Sequence, residues 1–387
     1  MNTRILFVDD ETNVLSGLRR MLRPYRHHWT MDFANSGEEA LAKMEDGGFD
    51  VVVTDMRMPK MDGAQLLKIV TETYPETIRI ILSGQSEKER IFRAIGATHQ
   101  YLSKPCDAAL LKATVAQACS LREALPHEDL KRAVSRISTI PCLAGNLDAL
   151  RTELASNDTT LVRASAIIAK DIGMTTNVLQ LVSSAFFGSP REISDVHHAT
   201  SLLGIDLLKE LVLEQEKFSA FNSSDAVFSL SELTEHSVEV ATAAKTIAEI
   251  ETCDEKTIGH AYISGLLHDI GKLVLASSFP DRYLQMLNIS KANDITLRRA
   301  ESQVFGSNHE DVGGYLLSLW GLPQSIVEAV TNNRICESDD FEKRLQLSVA
   351  GIASHICGQN NGQEEQQGNT SGHALSSATE FRIPPIH

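Results

Sequence analysis

The chain has 387 residues, of which 42% are hydrophobic and 22% charged, an ordinary balance for two or three domains with buried cores. Its net charge of −15 repels phosphate backbones, and no Lys/Arg stripe offsets it, which argues against nucleic acid as the main ligand. No apolar run approaches the roughly 20 residues of a membrane helix. In chain order, short β-branched runs at 4–8, 30–34, 50–54, 78–82 and 99–102 predict strands, and amphipathic stretches between and after them predict helices. Ala64, Leu67 and Val70, for example, recur at helical spacing after the Pro59–Gly63 turn. Five strands alternating with five helices imply a doubly wound parallel sheet of flavodoxin-like α/β type, covered on both faces.

From Leu110 onward the pattern turns helical, with Val162, Ala166 and Ala169 as one apolar stripe. Pro126, flanked by charge, marks the expected boundary. The expected organisation is a first domain at 1–123, a linker at 124–131, an all-α domain at 132–357 and a polar, disordered tail at 358–387. The six cysteines are scattered without a CxxC pair, so free thiols in a reducing compartment are expected. The N-terminus enters a strand without a signal-peptide pattern, and a cytoplasmic protein without membrane insertion is the expectation.

The first strand delivers Asp9 and Asp10 to its C-terminal end, and the third delivers Asp55. Functional groups collect at those ends of an open α/β sheet. Three carboxylates meeting there repel one another unless a cation sits among them, and an all-oxygen ligand set suits Mg²⁺. Ser83 follows the fourth strand and Lys104 the fifth, placing a hydroxyl and an ammonium where phosphoryl oxygens could be held. FVDDE, VVVTDMRMPKMDG, IILSG and HQYLSKP together resemble the CheY-like response-regulator receiver family. The resemblance implies phosphorylation of Asp55 by a sensor histidine kinase, with Mg²⁺ on Asp9, Asp10, Asp55 and the Arg57 backbone carbonyl. It further implies phosphoryl binding by Ser83 and Lys104, and an aromatic switch at Tyr101.

In the helical half, His236, the His268-Asp269 pair and His309 are candidate ligands, since imidazole and carboxylate together suit Zn, Mn or Fe. ISTIPCL, DIGMTTNVLQLVSSAFFG, SGLLHDIGKLVL and FGSNHEDVGGYLLSLWGLP resemble the HD superfamily, and more closely its HDOD branch, over about residues 132 to 330. Catalytic members of the superfamily add a final Asp, and Gly351 occupies that place here. The HD-GYP branch carries paired histidines where this chain has Thr331-Asn332-Asn333, and a GYP motif where Gly313-Gly314-Tyr315 lacks the proline. A site short of one carboxylate holds metal weakly, so a transition metal is not expected in the output domain. The expected function is a two-component response regulator whose HDOD-like output binds a downstream signalling protein, with a homodimer as a further expectation. The alternative is a phosphorylation-gated, metal-dependent phosphohydrolase acting on a nucleotide or cyclic dinucleotide.

Overall fold

The structure is a computed structural model and describes residues 3–84, 96–104, 106, 108–121, 125, 127–183, 193, 195–214, 218–221, 228–251 and 254–331. Strands β1 (Thr3–Val8), β2 (Trp29–Ala34), β3 (Val51–Asp55), β4 (Ile78–Gly84) and β5 (Gln100–Lys104) form one five-stranded parallel sheet in the order β2-β1-β3-β4-β5. Each expected strand is present, with ends moved by a residue or two. Ser83 therefore lies inside β4 and Lys104 ends β5, where the sequence placed both just beyond. The ladder runs on because these residues still register with Ser103 and Gly84.

Helices α1 (Thr12–Met21), α2 (Gly37–Asp46), α3 (Gly63–Thr73) and α4 (Ala108–Leu121) cover the sheet. The helix expected between β4 and β5 lies outside the described residues. Asp62 caps α3 through a reciprocal box with Gln65, which fixes where the helix starts. Alternation along the strands sends Leu6, Val52, Ile81 and Tyr101 into a core under α2 and α3. Ile5, Val53, Ile80 and Leu102 enter another under α1 and α4. That second core is continuous with the core of the following domain through Leu125, Leu130 and Val134.

The elements in the remaining described residues are helices, joined by irregular links and one bridge between Cys142 and Ala220: α5 (Glu128–Arg136), α6 (Ala144–Ala155), α7 (Leu161–Ile168), α8 (Ile172–Ser183), α9 (Val196–Leu203), α10 (Ile205–Lys209) running into a π-helical turn (Glu210–Glu214), α11 (Leu230–Ile250), α12 (Glu255–Leu267), α13 (Ile270–Ser278), α14 (Pro280–Asn293), α15 (Leu297–Phe305), α16 (His309–Leu319) and α17 (Gln324–Thr331). No helix among the described residues is long and apolar enough to cross a membrane. Helix α5 begins inside the segment read as a linker. The charges after Pro126 are Glu128 and Asp129 in its first turn, which favour a helix N-terminus as readily as a solvated loop. Val162 is 65% exposed; α7 buries Ala164, Ser165 and Ile168 instead, so the apolar stripe read from the sequence picked the wrong face. Pro126, Asn332, Asn333, Gly351 and the tail from 358 lie outside the described residues.

The distinctive DIGMTTNVLQ stretch is structural. Helix α8 is buried along 172–182, and Asn177 holds Ile140 at both peptide groups, accepting from its N at 2.8 Å and donating to its O at 2.9 Å. Asp171 accepts from the backbone N of Leu143 and of Met174, with burial pushing its carboxyl above the ordinary range and these donors opposing the shift. The stretch thereby clamps the ISTIPCL segment to the core. At the junction with the sheet, the buried Arg79 guanidinium donates to the carbonyls of Ala97, Pro75, Thr77 and Ser135. Burial pulls it down to about 9, so it remains protonated at neutral pH.

Candidate functional site

Two clusters gather the chemistry-bearing residues that the sequence singled out. In the first, Asp55 is the last residue of β3, in register with Leu82 of β4, and Ser83 is the next residue on that strand. The Asp9 carboxylate is buried just beyond β1, while Asp10 is exposed. Lys104 Nζ lies 2.7 Å from Asp9 Oδ2 and pairs also with Asp55 Oδ1. Asp55 Oδ2 accepts the Arg57 backbone N–H at 2.7 Å, which fixes the carboxylate plane and keeps the Arg57 peptide at the site's edge. A side chain at Gly63 would place its Cβ 2.2 Å from the Asp55 backbone oxygen. The residue must be glycine for α3 to start so close to the strand end. A cleft of about 530 Å³ opens beside Asp55, lined by Asp10, Met56, Arg57, Met58, Pro59 and Asp62 among others.

The electrostatics follow from this packing. Burial pushes the Asp55 carboxyl above its ordinary range; Lys104 opposes the shift and Asp9 adds to it. Burial works against the charge on Lys104, yet its bonds to Asp55 and Asp9 hold the ammonium above its ordinary value. Lys104 bonds the two carboxylates that meet, Asp9 and Asp55, while Asp10 stands exposed in the cleft lining; the donors are all oxygen, the type that suits a small hard cation. Tyr101 is buried, its phenol pushed up by that burial, in the same core as Met56, the residue after Asp55.

The second cluster is buried among helices. His236 comes from the middle of α11, and His268 and Asp269 form the link between α12 and α13. His309 opens α16. The structure brings these four candidates together: Asp269 Oδ2 lies 3.9 Å from His236 Nε2 and 3.4 Å from His268 Nε2, and Asp269 Oδ1 lies 3.2 Å from His309 Nε2. His268 Nδ1 faces the Gly265 carbonyl at 2.7 Å; a carbonyl can only accept, so that nitrogen carries the proton and Nε2 is the one turned to Asp269. Gly271 packs against the first turn of α16, where a Cβ would lie 1.8 Å from the His309 oxygen. That close approach holds α13 and α16 together.

Sequence reasoning missed three members of this cluster, Lys272, Glu301 and Glu310, the last with Oε2 3.8 Å from His309 Nδ1. Lys272 Nζ is 2.6 Å from Asp269 Oδ2, one helical turn on, a spacing that could have flagged it. Glu301 of α15 accepts from His309 Nδ1 at 2.7 Å and from the His309 backbone N at 3.0 Å; it sits on a separate helix and carries no local signal. Burial works against charge on Asp269, but His268 and Lys272, with His309, hold its carboxyl well below the usual range. Burial likewise opposes charge on His309, and Glu301 foremost lifts it to about 10. Two imidazoles and a carboxylate with atoms within 4.8 Å of one another are a donor set for a first-row divalent ion. The Lys272 ammonium already rests on the carboxylate oxygen that both imidazoles face, so this arrangement does not fit a metal unless the lysine is displaced.

The HDOD domain family model matches residues 140–335, and the response regulator receiver domain model matches residues 5–116. The chain belongs to the HDOD family, with a receiver domain ahead of it. This receiver–HDOD protein is similar to an uncharacterized protein of Treponema pallidum (strain Nichols), 26% identical over 219 residues that cover 57% of this chain and 42% of that one. It is also similar to the transcriptional regulatory protein ZraR of Klebsiella oxytoca, 30% identical over 230 residues covering 57% and 48% of the two chains. The receiver–HDOD chain spans less than half the length of these curated relatives. Among solved structures, the MmoQ response regulator of Methylococcus capsulatus strain Bath is 21% identical with a TM-score of 0.46, covering 57% of this chain and 85% of that one. A receiver domain fused to an HDOD domain fits a two-component response regulator.

Proposed function

We propose that phosphoryl transfer to Asp55 from a sensor histidine kinase switches an HDOD output domain that works by binding a downstream signalling protein rather than by catalysis. The observation that carries the reading is Lys104 bridging Asp9 and Asp55 at the ends of three strands. In this reading an Asp55 oxygen attacks the phosphorus and displaces the kinase's imidazole, forming an acyl phosphate. Asp9, Asp10, Asp55 and the Arg57 carbonyl would hold Mg²⁺, which would supply positive charge against the phosphoryl oxygens. The Lys104 ammonium and the Ser83 hydroxyl take the phosphoryl oxygens, and Tyr101 follows the shift of the strand ends. The modification adds about −1.5 to −2 charge, which biases a two-state element coupled to the site.

The non-catalytic part of the proposal is supported by charge matching at the second cluster. Asp269 is already balanced by Lys272 and His309, and the sequence offers Gly351 where a hydrolase would bring its last carboxylate. The same reading puts the protein in the cytoplasm, without nucleic acid as ligand, and allows a homodimer. The test is acetyl phosphate or beryllium fluoride with Mg²⁺, wild type against Asp55→Ala, followed by intact mass, sedimentation and captured partners. One added phosphoryl group on wild type alone, with changed association, is expected. Unchanged mass and unchanged association in both proteins would end the reading.

A further inference from the structure

One helix runs from the second cluster to the strand that carries Lys104. The N-terminal residue of α16 is His309, held between Glu301 and Asp269. At the other end of its 11 residues, about 16 Å away by helical rise, its last carbonyls meet the receiver. Gln100, the first residue of β5, is buried and donates its side-chain amide to Ser318 O at 3.3 Å and Leu319 O at 3.0 Å. Gln117 of α4 donates to Ser318 Oγ at 3.3 Å. The last carbonyls of a helix have no partner within the helix; Ser318 O also accepts the Gly321 N–H at 2.9 Å, and Gln100 adds a C-cap from the other domain on Ser318 and Leu319.

On the receiver side, Gln100 precedes Tyr101, and Lys104 closes the same short strand. A strand of five residues that pairs directly with β4 moves as a piece, because sliding one residue breaks its ladder. On the output side, α16 cannot shift without moving His309, because α13 presses on its first turn through Gly271. Tightly packed elements of this kind respond by discrete steps rather than by deformation.

We propose that α16 is the coupling rod between the receiver and the His–Asp cluster, with the Gln100 cap on Ser318 and Leu319 as its grip. Loading of Asp55 draws Lys104 to the phosphoryl group and β5 with it, and the cap carries that displacement to His309. The cluster is thereby the far end of the switch: its carboxylates and imidazoles register receiver state by their spacing. This rests on Asp55 being the phosphoacceptor.

The test follows amide hydrogen exchange in the full-length protein with and without beryllium fluoride and Mg²⁺, reading β5 and α16 separately. Wild type is expected to change exchange by about two-fold or more in both. Gln100→Leu keeps volume but removes both donors, and Gln100→Asn keeps an amide one methylene too short, which guards against a variant that fails to fold. In either, β5 should still respond while the α16 response is lost. An α16 response equal to wild type in a folded Gln100 variant overturns the proposal, as does a wild-type α16 that stays still while β5 responds; both outcomes leave the Asp55 reading intact. No response in β5 of the wild type removes the Asp55 reading and the coupling with it.

Discussion

The His99 imidazole donates from Nε2 to the Ser135 carbonyl at 3.1 Å, tying the entrance of β5 to the C-terminal end of α5. His99 Nδ1 accepts the Arg79 backbone N–H at 3.1 Å, which assigns the ring proton to Nε2. Burial, and then the Arg79 charge, hold this imidazole well below its ordinary range. A folded state that resists protonation loses stability as pH falls below the unfolded value of about 6.5. Denaturant midpoints should therefore drop between pH 7.5 and 5, with a slope of up to about 1.4 kcal/mol per pH unit from one proton. His99→Gln should flatten that slope; an identical slope in the variant would contradict the assignment.

Lys104→Ala removes the ammonium shared by Asp9 and Asp55. A charge-assisted bond to a phosphoryl mimic is worth about 1.5–3 kcal/mol. Calorimetric titration of beryllium fluoride in Mg²⁺ is expected to show binding weakened by about ten-fold or more. Equal affinity would remove Lys104 from the phosphoryl site.

Asn177→Leu strips both hydrogen bonds from the buried Ile140 peptide. Stranding a buried donor and acceptor should cost the helical domain about 2–4 kcal/mol, read by chemical denaturation, with Asp55 still accepting a phosphoryl group. A cost near zero would mean that the motif is not the clamp described above.

Lys272→Met keeps the stem of the side chain but withdraws the cation from Asp269. Affinity for Mn²⁺ or Zn²⁺ at His236, His268 and Asp269 should rise by about ten-fold or more, as expected when a competing charge leaves a buried carboxylate. Metal analysis after dialysis, with His236→Ala in the same background as control, decides it. Metal uptake that ignores both substitutions would place the ion elsewhere.

The receiver was legible in the sequence because its signals are local. β-branched runs announce the strands, and each functional residue stands at a strand end that the same run defines. His236, His268, Asp269 and His309 were legible as residue types, and the helices do assemble them. The partners that set their charge were not. Glu301 meets His309 only because the short turn at 306–308 brings the start of α16 back to α15, and Gln100 finds Leu319 across a sequence separation of 219. Val162 misled for the same reason: a short helix has two plausible apolar faces, and only its neighbours decide which is buried.

The core beneath α1 and α4 runs on into the helical half through Leu125, Leu130 and Val134. The receiver of this chain is thus not an interchangeable cassette. Cutting between α4 and α5 would take Leu130 and Val134 out of the shared core and bare apolar surface where they had packed, leaving a fragment prone to stick to itself. A graft of this receiver onto another output would need a replacement for α5, because the seam between the two halves is also part of the interior of each.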